Sequence, residues 1–212
     1  MTSTSALKQK SKIYTIGHST RPIDEFISML KNFHVRKLFD VRTIPKSRFN
    51  PQYNKENLAK SLANEKIDYE HMPGLGGLRQ AQKDSINNGW RNASFRGFAD
   101  YMQTESFENS IQELIKEAQK KTVAIMCAEA VPWRCHRSLI ADALLFRGLD
   151  VKDIMGAQKE TIHKMNPMAK IEKGKIYYPE LCDDMEDLKY SSRAEYEGLG
   201  IISDFTTHVL NT

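Results

Sequence analysis

The 212-residue chain carries 31 lysines and arginines against 27 acidic residues, which gives a mildly basic protein with a net charge of +4. This length suits one domain with a sizeable core, and three cysteines are too few and odd in number for a disulfide framework. No stretch has the length and apolar character of a membrane span or of a signal-peptide core. We therefore predict a cytoplasmic protein with no membrane partner, whose basic excess permits a phosphate-bearing ligand or nucleic acid.

Predicted strands and helices alternate along most of the chain. Residues 1–11 are small, polar and basic, and we expect a disordered leader there. Short apolar runs typical of strands then alternate with segments whose apolar residues recur at helical spacing. The predicted strands cover residues 12–17, 36–41, 67–71, 123–126 and 150–155, and the predicted helices cover residues 23–30, 54–66, 104–121 and 139–147.

Three segments depart from this alternation. Residues 73–98 are rich in Gly, Asn, Arg and aromatics without clear periodicity, which predicts a loop that covers the site. Residues 168–171 and 175–178 flank Glu-Lys-Gly and predict a small hairpin. Residues 182–212 are weakly patterned, and we expect a tail or a docking helix.

The alternation predicts the α/β class, with one domain over residues 12–181 that ends in the hairpin. Parallel strands joined by helical crossovers form a mostly parallel central sheet. We expect helices on both faces of this sheet, in a Rossmann-like three-layer sandwich.

The segment 122–148 is the most informative part of the sequence. Its apolar run at residues 123–126 predicts a central strand that is covered on both faces. Polar residues follow at once, and helical spacing then resumes. Ligands of open α/β sheets bind outside the carboxyl ends of strands, and a helix amino terminus at that place favours anions.

Two arginines lie at this predicted helix start. Arg134 and Arg137 flank a Cys-His pair, and guanidinium groups beside free backbone N–H groups suit a phosphate or a carboxylate. The alternative is that one arginine pairs with Glu129 and holds the loop. Glu129 itself is a candidate for proton transfer or for a structural ion pair.

The cysteines and the adjacent histidine suggest two further chemistries. Cys135 lies at a helix start beside Arg and His, where a lowered pKa is typical of a nucleophile. The cysteine-phosphatase pattern is absent, however, because six residues rather than five separate Cys127 from Arg134. A metal site of Cys127, Cys135 and His136 with His18 is conceivable, but without a paired Cys-x-x-Cys we expect no metal.

Polar residues also follow the first two predicted strands. His18 follows the first strand, and Asp40 and Arg42 follow the second, so all three can reach the same crevice. The glycines before Arg79 could bring backbone close to a phosphate, although a flexible turn explains them equally well. The candidate catalytic residues are Glu129, His18, Asp40 and Cys135, and the candidate ligand-binding residues are Arg42, Arg79, Cys127, Arg134, His136 and Arg137.

Aromatic residues interleaved with arginines support a second kind of partner. Such a surface can stack bases and contact phosphates, as single-stranded nucleic acid requires. Packing combined with solvation explains the same pattern, and a small nucleotide would satisfy the same chemistry. The residues concerned include Arg48, Phe49, Tyr53, Trp90, Arg91, Phe95, Arg96, Trp133 and Arg134.

Several motifs together resemble one known family. They are TIGHS at 15–19, FDVRTIPKSRFNP at 39–51, GLGGLR at 74–79, FADYM at 98–102, MCAEAVPWRCHRSLIA at 126–141 and GKIYYP at 174–179. The chain resembles the domain-of-unknown-function family 488 over about residues 12–181. The resemblance implies an α/β domain whose motifs converge at one crevice, and it brings no established reaction.

We predict an enzyme, a hydrolase or a transferase, acting on a phosphorylated or nucleotide-like substrate. The three arginines Arg42, Arg134 and Arg137 would hold the anion, Glu129 or His18 would transfer a proton, and Asp40 would orient a partner. The alternative is a nucleic-acid-binding or nucleic-acid-processing accessory module. A scaffold that binds a regulatory metabolite without chemistry also fits, and the sequence names no cofactor.

Overall fold

A computed structural model describes residues 12–180. The strands are β1 (Lys12–Gly17), β2 (Lys37–Asp40), β3 (Asp68–His71), β4 (Val123–Cys127), β5 (Asp150–Gly156), β6 (Lys159–Ile162), β7 (Lys170–Glu172) and β8 (Lys175–Tyr177). The helices are α1 (Ile23–Asn32), α2 (Lys55–Asn64), α3 (Ala93–Tyr101), α4 (Glu105–Ala118) and α5 (Arg137–Phe146). The fold is mixed α/β, and the five predicted sheet strands and four predicted helices are confirmed.

The larger sheet has six strands in the order β3-β2-β4-β1-β5-β6. Strands β1 to β5 pair in parallel, and only β6 joins antiparallel, against β5. All five residues of β4 are buried, as expected of a strand covered on both faces. The prediction of a mostly parallel central sheet is therefore confirmed.

Alternate residues of the strands belong to two separate hydrophobic clusters. Val123 and Ile125 of β4 pack with side chains of α3, α4 and α5. Ala124 and Met126 pack instead with side chains of α1 and α2. Because successive strand residues point to opposite faces, the helices that follow β1 and β2 and the helix that follows β4 lie against different faces. The carboxyl end of β4, between β1 and β2, is thus a point where the chain switches faces, which is where ligands of open sheets bind.

Two elements were missed by the sequence patterns. The predicted loop over residues 73–98 was wrong in its second part, because α3 begins at Ala93. Asn92 caps this helix by accepting hydrogen bonds from the backbone N–H groups of Ser94 and Phe95. The short strand β6 was also missed, since its sequence KETI has no buried residue to set an alternation.

The predicted hairpin is confirmed as β7 and β8. Its two turn residues, Lys173 and Gly174, both have positive φ, at 48° and 74°. Positive φ at both central residues is the geometry of a tight two-residue hairpin turn.

The expected leader at residues 1–11 and the expected tail or docking helix at residues 182–212 lie outside the described residues. Within residues 12–180, no helix is both long enough and apolar enough to cross a bilayer.

Candidate functional site

A crevice of about 610 Å³ opens where β1, β2 and β4 end and α5 begins. Its volume is in the usual range for small-molecule sites. The crevice is where the sequence predicted a site, and most of the candidate residues line it. The candidate residues that line it are His18, Arg42, Cys127, Glu129, Arg134, Cys135 and His136.

His18 lies at the crevice wall, is only 3% exposed and stacks on the ring of Tyr53. Its Nδ1 is 2.7 Å from the carbonyl oxygen of Ser19, so Nδ1 carries the proton and donates it there. Its Nε2 therefore accepts from Arg42 Nη1 at 3.3 Å. Burial lowers the pKa of His18 to about 4, and the nearby Arg42 cation acts in the same direction. His18 is therefore neutral at pH 7, and its lone pair is already engaged.

Asp40 and Arg42 form a buried ion pair beneath the crevice. Asp40 is fully buried and accepts Arg42 Nε at 2.8 Å on Oδ1 and Arg42 Nη2 at 2.5 Å on Oδ2. Tyr69 donates its hydroxyl to Asp40 Oδ2 at 2.8 Å, and Arg42 Nη2 also donates to the carbonyl of Tyr53 at 2.7 Å. One N–H of Arg42 Nη1 is left without a partner among the described residues. Asp40 thus positions Arg42 and has no free oxygen for a substrate.

Arg137 holds the loop that follows β4. The side chain is 1% exposed. Its Nη1 donates to the carbonyl of Glu129 at 2.6 Å and its Nη2 to the carbonyl of Ala130 at 3.0 Å. Its Nε donates to Thr15 Oγ1 at 3.4 Å. Arg137, which we expected to bind the anion, is therefore buried and holds the loop beside the crevice in place. The sequence left open that Arg134 or Arg137 holds the loop instead of binding an anion, and Arg137 does so. Its partners are the carbonyl oxygens of Glu129 and Ala130 and not the Glu129 carboxylate.

Arg79 also makes contacts other than those expected of it. Its Nε donates to the carbonyl of Gly76 at 3.0 Å and its Nη2 to that of Pro73 at 3.1 Å. Its guanidinium lies 3.6 Å from the centre of the Tyr101 ring. Arg79 fixes this turn and does not line the crevice.

Three charged side chains are exposed at the crevice: Glu129, Arg134 and Lys46. Glu129 is the only carboxylate among the lining residues in the described part of the chain. None of the three side chains has an ion-pair partner among residues 12–180. Lys46 was not among the predicted ligands, although its position just past β2 was a usable signal. Uncharged polar lining residues that sequence reasoning did not select are Ser19, Thr20, Thr43, Ser47, Asn50 and Ser94.

Cys127, Cys135 and His136 form a cluster at the crevice where α5 begins. The Sγ atoms of Cys127 and Cys135 lie 3.9 and 3.7 Å from His136 Nδ1. The hydrogen bond from the Cys127 thiol lowers the pKa of Cys135 well below that of an ordinary thiol, against the opposing effect of burial. Both cysteines are buried free thiols.

Two glycines allow close packing around this cluster. A Cβ on Gly17 would lie 1.8 Å from the carbonyl oxygen of Glu129. A Cβ on Gly77 would lie 2.5 Å from His136 Nδ1. The absence of a side chain at both positions lets the loop after β4 and the His136 ring approach neighbouring backbone.

A second cavity, of about 420 Å³, lies between the turn after α3, the helices α4 and α5, and the hairpin. Its lining includes Glu108 and Arg147, which pair with each other. None of the candidate residues lines it, and it is away from the carboxyl ends of the parallel strands. We therefore take the crevice as the candidate functional site.

Sequence reasoning also missed a buried polar cluster outside the crevice. His163 Nε2 is 2.8 Å from Asp142 Oδ1, and His163 Nδ1 is 3.4 Å from Asp153 Oδ2. Tyr178 donates to Asp142 Oδ2 at 2.9 Å, and Thr15 donates to Asp153 Oδ1 at 2.5 Å. Burial opposes protonation, but the two carboxylates outweigh it and raise the pKa of His163 to about 9.

Comparison with known proteins places these residues in one family. No curated protein and no solved structure matches the chain. One family model matches residues 22–144, which include the candidate residues from Asp40 to Arg137 and exclude His18. Because this match covers more than half of the sequence, the chain belongs to the family described as Domain of unknown function DUF488.

Proposed function

We propose that the protein is an enzyme, a hydrolase or a transferase, that binds a phosphorylated or nucleotide-like substrate in the crevice. The observation that carries this proposal is that two exposed cations, Arg134 and Lys46, line the crevice where α5 begins. We also infer that the fold is a Rossmann-like three-layer sandwich in which the crevice occupies the switch point beside β4. The two free thiols at the crevice fit a reducing compartment such as the cytoplasm.

The anion is held by groups that the fold leaves uncommitted. Arg134 and Lys46 supply positive charge from two different strand ends, and Arg42 offers its one remaining N–H. The backbone N–H groups of Ser138 and Leu139 already donate to the carbonyls of Cys135 and His136, so the start of α5 contributes chiefly its favourable dipole. Phosphate oxygens are acceptors suited to donors of these kinds.

Glu129 is the proton-transfer residue in this proposal. Among residues 12–180 it is the only carboxylate that lines the crevice, and it has no ion-pair partner there. Its loop is held by Arg137 through the Glu129 carbonyl, so the carboxylate extends from a fixed backbone. A positioned carboxylate can act as general base toward water or a substrate hydroxyl.

The other candidate catalytic residues take supporting roles. The Nε2 lone pair of His18 is engaged by Arg42, so we assign His18 to orienting that guanidinium. Asp40 holds the opposite edge of the same group. Cys135 lines the crevice but is only 3% exposed, and we give it no covalent role.

The binding proposal is tested by a thermal-shift screen with inorganic phosphate, mononucleotides, sugar phosphates and short oligonucleotides. The proteins are wild type, Arg134→Gln and a matched control, Arg36→Gln, whose exposed side chain precedes β2 at the opposite edge of the sheet. A ligand at 100 times its dissociation constant stabilises the native state by about 2.7 kcal/mol, which this assay resolves. We expect stabilisation of wild type and Arg36→Gln that is reduced in Arg134→Gln. Equal stabilisation of all three proteins would contradict the anion site.

The role of Glu129 is tested separately with Glu129→Gln, which keeps size and polarity and removes the charge. With the substrate identified, we expect turnover to fall by about 10²–10⁴-fold, the usual contribution of general acid–base catalysis. Ligand stabilisation should persist. Unchanged turnover would remove Glu129 from the mechanism.

A second candidate function, nucleic-acid binding, is supported by exposed aromatics beside cations near the crevice. Phe49 is 87% exposed and follows the exposed Arg48. Trp133 is 49% exposed and precedes the exposed Arg134. Exposed aromatic rings interleaved with cations suit stacking on single-stranded bases. The prediction is oligonucleotide binding that weakens steeply with salt and is lost in Phe49→Ala with Trp133→Ala. Binding that is insensitive to salt would count against this function.

A further inference from the structure

The cluster of Cys127, Cys135 and His136 has the dimensions of a metal site. Its two sulfurs and the His136 Nδ1 all lie within 4.8 Å of one another. Zinc bonds of about 2.3 Å to sulfur and 2.0 Å to nitrogen, at tetrahedral angles, place sulfur and nitrogen about 3.5 Å apart. The observed separations of 3.7 and 3.9 Å are close to that value. The two sulfurs lie within 4.8 Å of each other, against about 3.8 Å in tetrahedral zinc coordination, so a cation would enter with displacements of up to about 1 Å.

The hydrogen bonds of His136 direct the correct atom toward the sulfurs. Its Nε2 lies 3.1 Å from the carbonyl oxygens of both Val41 and Leu75. Carbonyl oxygens only accept, so Nε2 must carry the ring proton, and Nδ1 presents a lone pair to Cys127 and Cys135. A histidine that ligates a metal through one nitrogen commonly donates the other N–H to a backbone carbonyl. The ring is thus held in the tautomer and orientation that ligation needs.

We propose that Cys127 Sγ, Cys135 Sγ and His136 Nδ1 bind a single Zn²⁺ ion. Two thiolates and an imidazole form a soft donor set that zinc accepts readily. All three residues line the crevice, so the fourth coordination position is open to water or to a substrate group. Three protein ligands with an open position is the composition of catalytic rather than purely structural zinc sites.

This proposal replaces the expectation of no metal, which rested on the missing Cys-x-x-Cys pair. Cys135 and His136 are adjacent in sequence, and Cys127 comes from the end of β4, so a spacing rule for paired cysteines does not find the cluster. The turn between β4 and α5 brings the three side chains together. Zinc binding does not depend on the proposed anion substrate. Only a catalytic role of the zinc ion rests on the proposed function.

The first test is a titration of the full-length, chelator-treated and reduced protein with Co²⁺, a spectroscopic substitute for Zn²⁺. We expect one Co²⁺ per chain, visible thiolate-to-cobalt charge-transfer absorption and the intense d–d bands of tetrahedral coordination. Addition of one equivalent of Zn²⁺ should remove both signals. No phosphate compound is present, so this result is independent of the anion proposal. Absence of charge-transfer absorption at stoichiometric Co²⁺ would overturn the metal site without any variant.

Variants then assign the ligands. Cys127→Ser, Cys135→Ser and His136→Gln should each weaken Co²⁺ binding at least tenfold, and circular dichroism of the metal-free proteins verifies their folding. The matched controls are Cys182→Ser, in the part of the sequence outside the described residues, and His34→Gln, on an exposed turn after α1. Both controls should bind as wild type does. Binding that survives Cys135→Ser and is lost in Cys182→Ser would overturn the assignment.

Discussion

The buried His163 cluster predicts a specific dependence of stability on pH. The two carboxylates, Asp142 and Asp153, raise the pKa of His163 from 6.5 to about 9 in the folded protein. The folded state therefore holds a proton that the unfolded chain releases above pH 6.5. The resulting stabilisation is fully present below pH 6.5 and is lost as pH rises through 9.

The size of this effect follows from the two pKa values. Each pKa unit corresponds to about 1.4 kcal/mol, so the stabilisation at low pH amounts to about 3 kcal/mol. His163 is 8% exposed, so solvent screening removes little of it. Between pH 6.5 and 9, the free energy of unfolding should fall by up to about 1.4 kcal/mol per pH unit from this group.

The assay is urea denaturation at several pH values between 6 and 9.5 with wild type, His163→Gln and the exposed control His34→Gln. We expect the slope between pH 6.5 and 9 to be smaller in His163→Gln and unchanged in His34→Gln. An NMR titration of the wild-type imidazole checks the same pKa if the variant folds poorly. Equal slopes in all three proteins, or a His163 pKa near 6.5, would show that Asp142 and Asp153 do not stabilise the protonated imidazole.

Two further substitutions test the scaffold of the crevice. Asp40→Asn should lower the free energy of unfolding by about 3–5 kcal/mol, because it leaves the buried Arg42 cation unpaired. Glu65→Gln, which breaks an exposed pair with Lys31, should cost less than about 1 kcal/mol in the same denaturation assay. Gly17→Ala should cost about 1–3 kcal/mol, because its Cβ would meet the Glu129 carbonyl. Gly156→Ala, whose Cβ would lie an ordinary 3.7 Å from its nearest neighbour, should cost less in that assay; equal losses would contradict the steric argument.

The sequence predicted the fold class because its signals are local. The apolar run in β4 and the apolar stripe of α4 each indicate which of their own residues are buried. The strand order was not predictable, since β4 lies between β1 and β2 through contacts distant in sequence. The helix α3 was missed because its first turn, Ala-Ser-Phe-Arg, follows a glycine- and asparagine-rich stretch without a break in composition.

The location of the candidate site was predictable, but the roles of its residues were not. Polar residues at strand ends converge at one crevice, and this could be read from the alternation alone. Whether an arginine faces the solvent or the protein depends on the backbone around it. Arg137 donates to the carbonyls of Glu129 and Ala130, and the path of that loop leaves no pattern in the sequence. The orientation of His136, set by the carbonyls of Val41 and Leu75, is non-local in the same way.

Mapping the ligand on the protein tests most directly whether an anion binds in the crevice. Amide chemical shifts would be recorded by NMR while ADP, and separately inorganic phosphate, is added. We predict shifts at the crevice, at Ser19, Gly77 and Ala128. Shifts confined to the second cavity, at Gln103 and Lys175, or no shifts at the crevice with either compound, would show that the crevice is not an anion site.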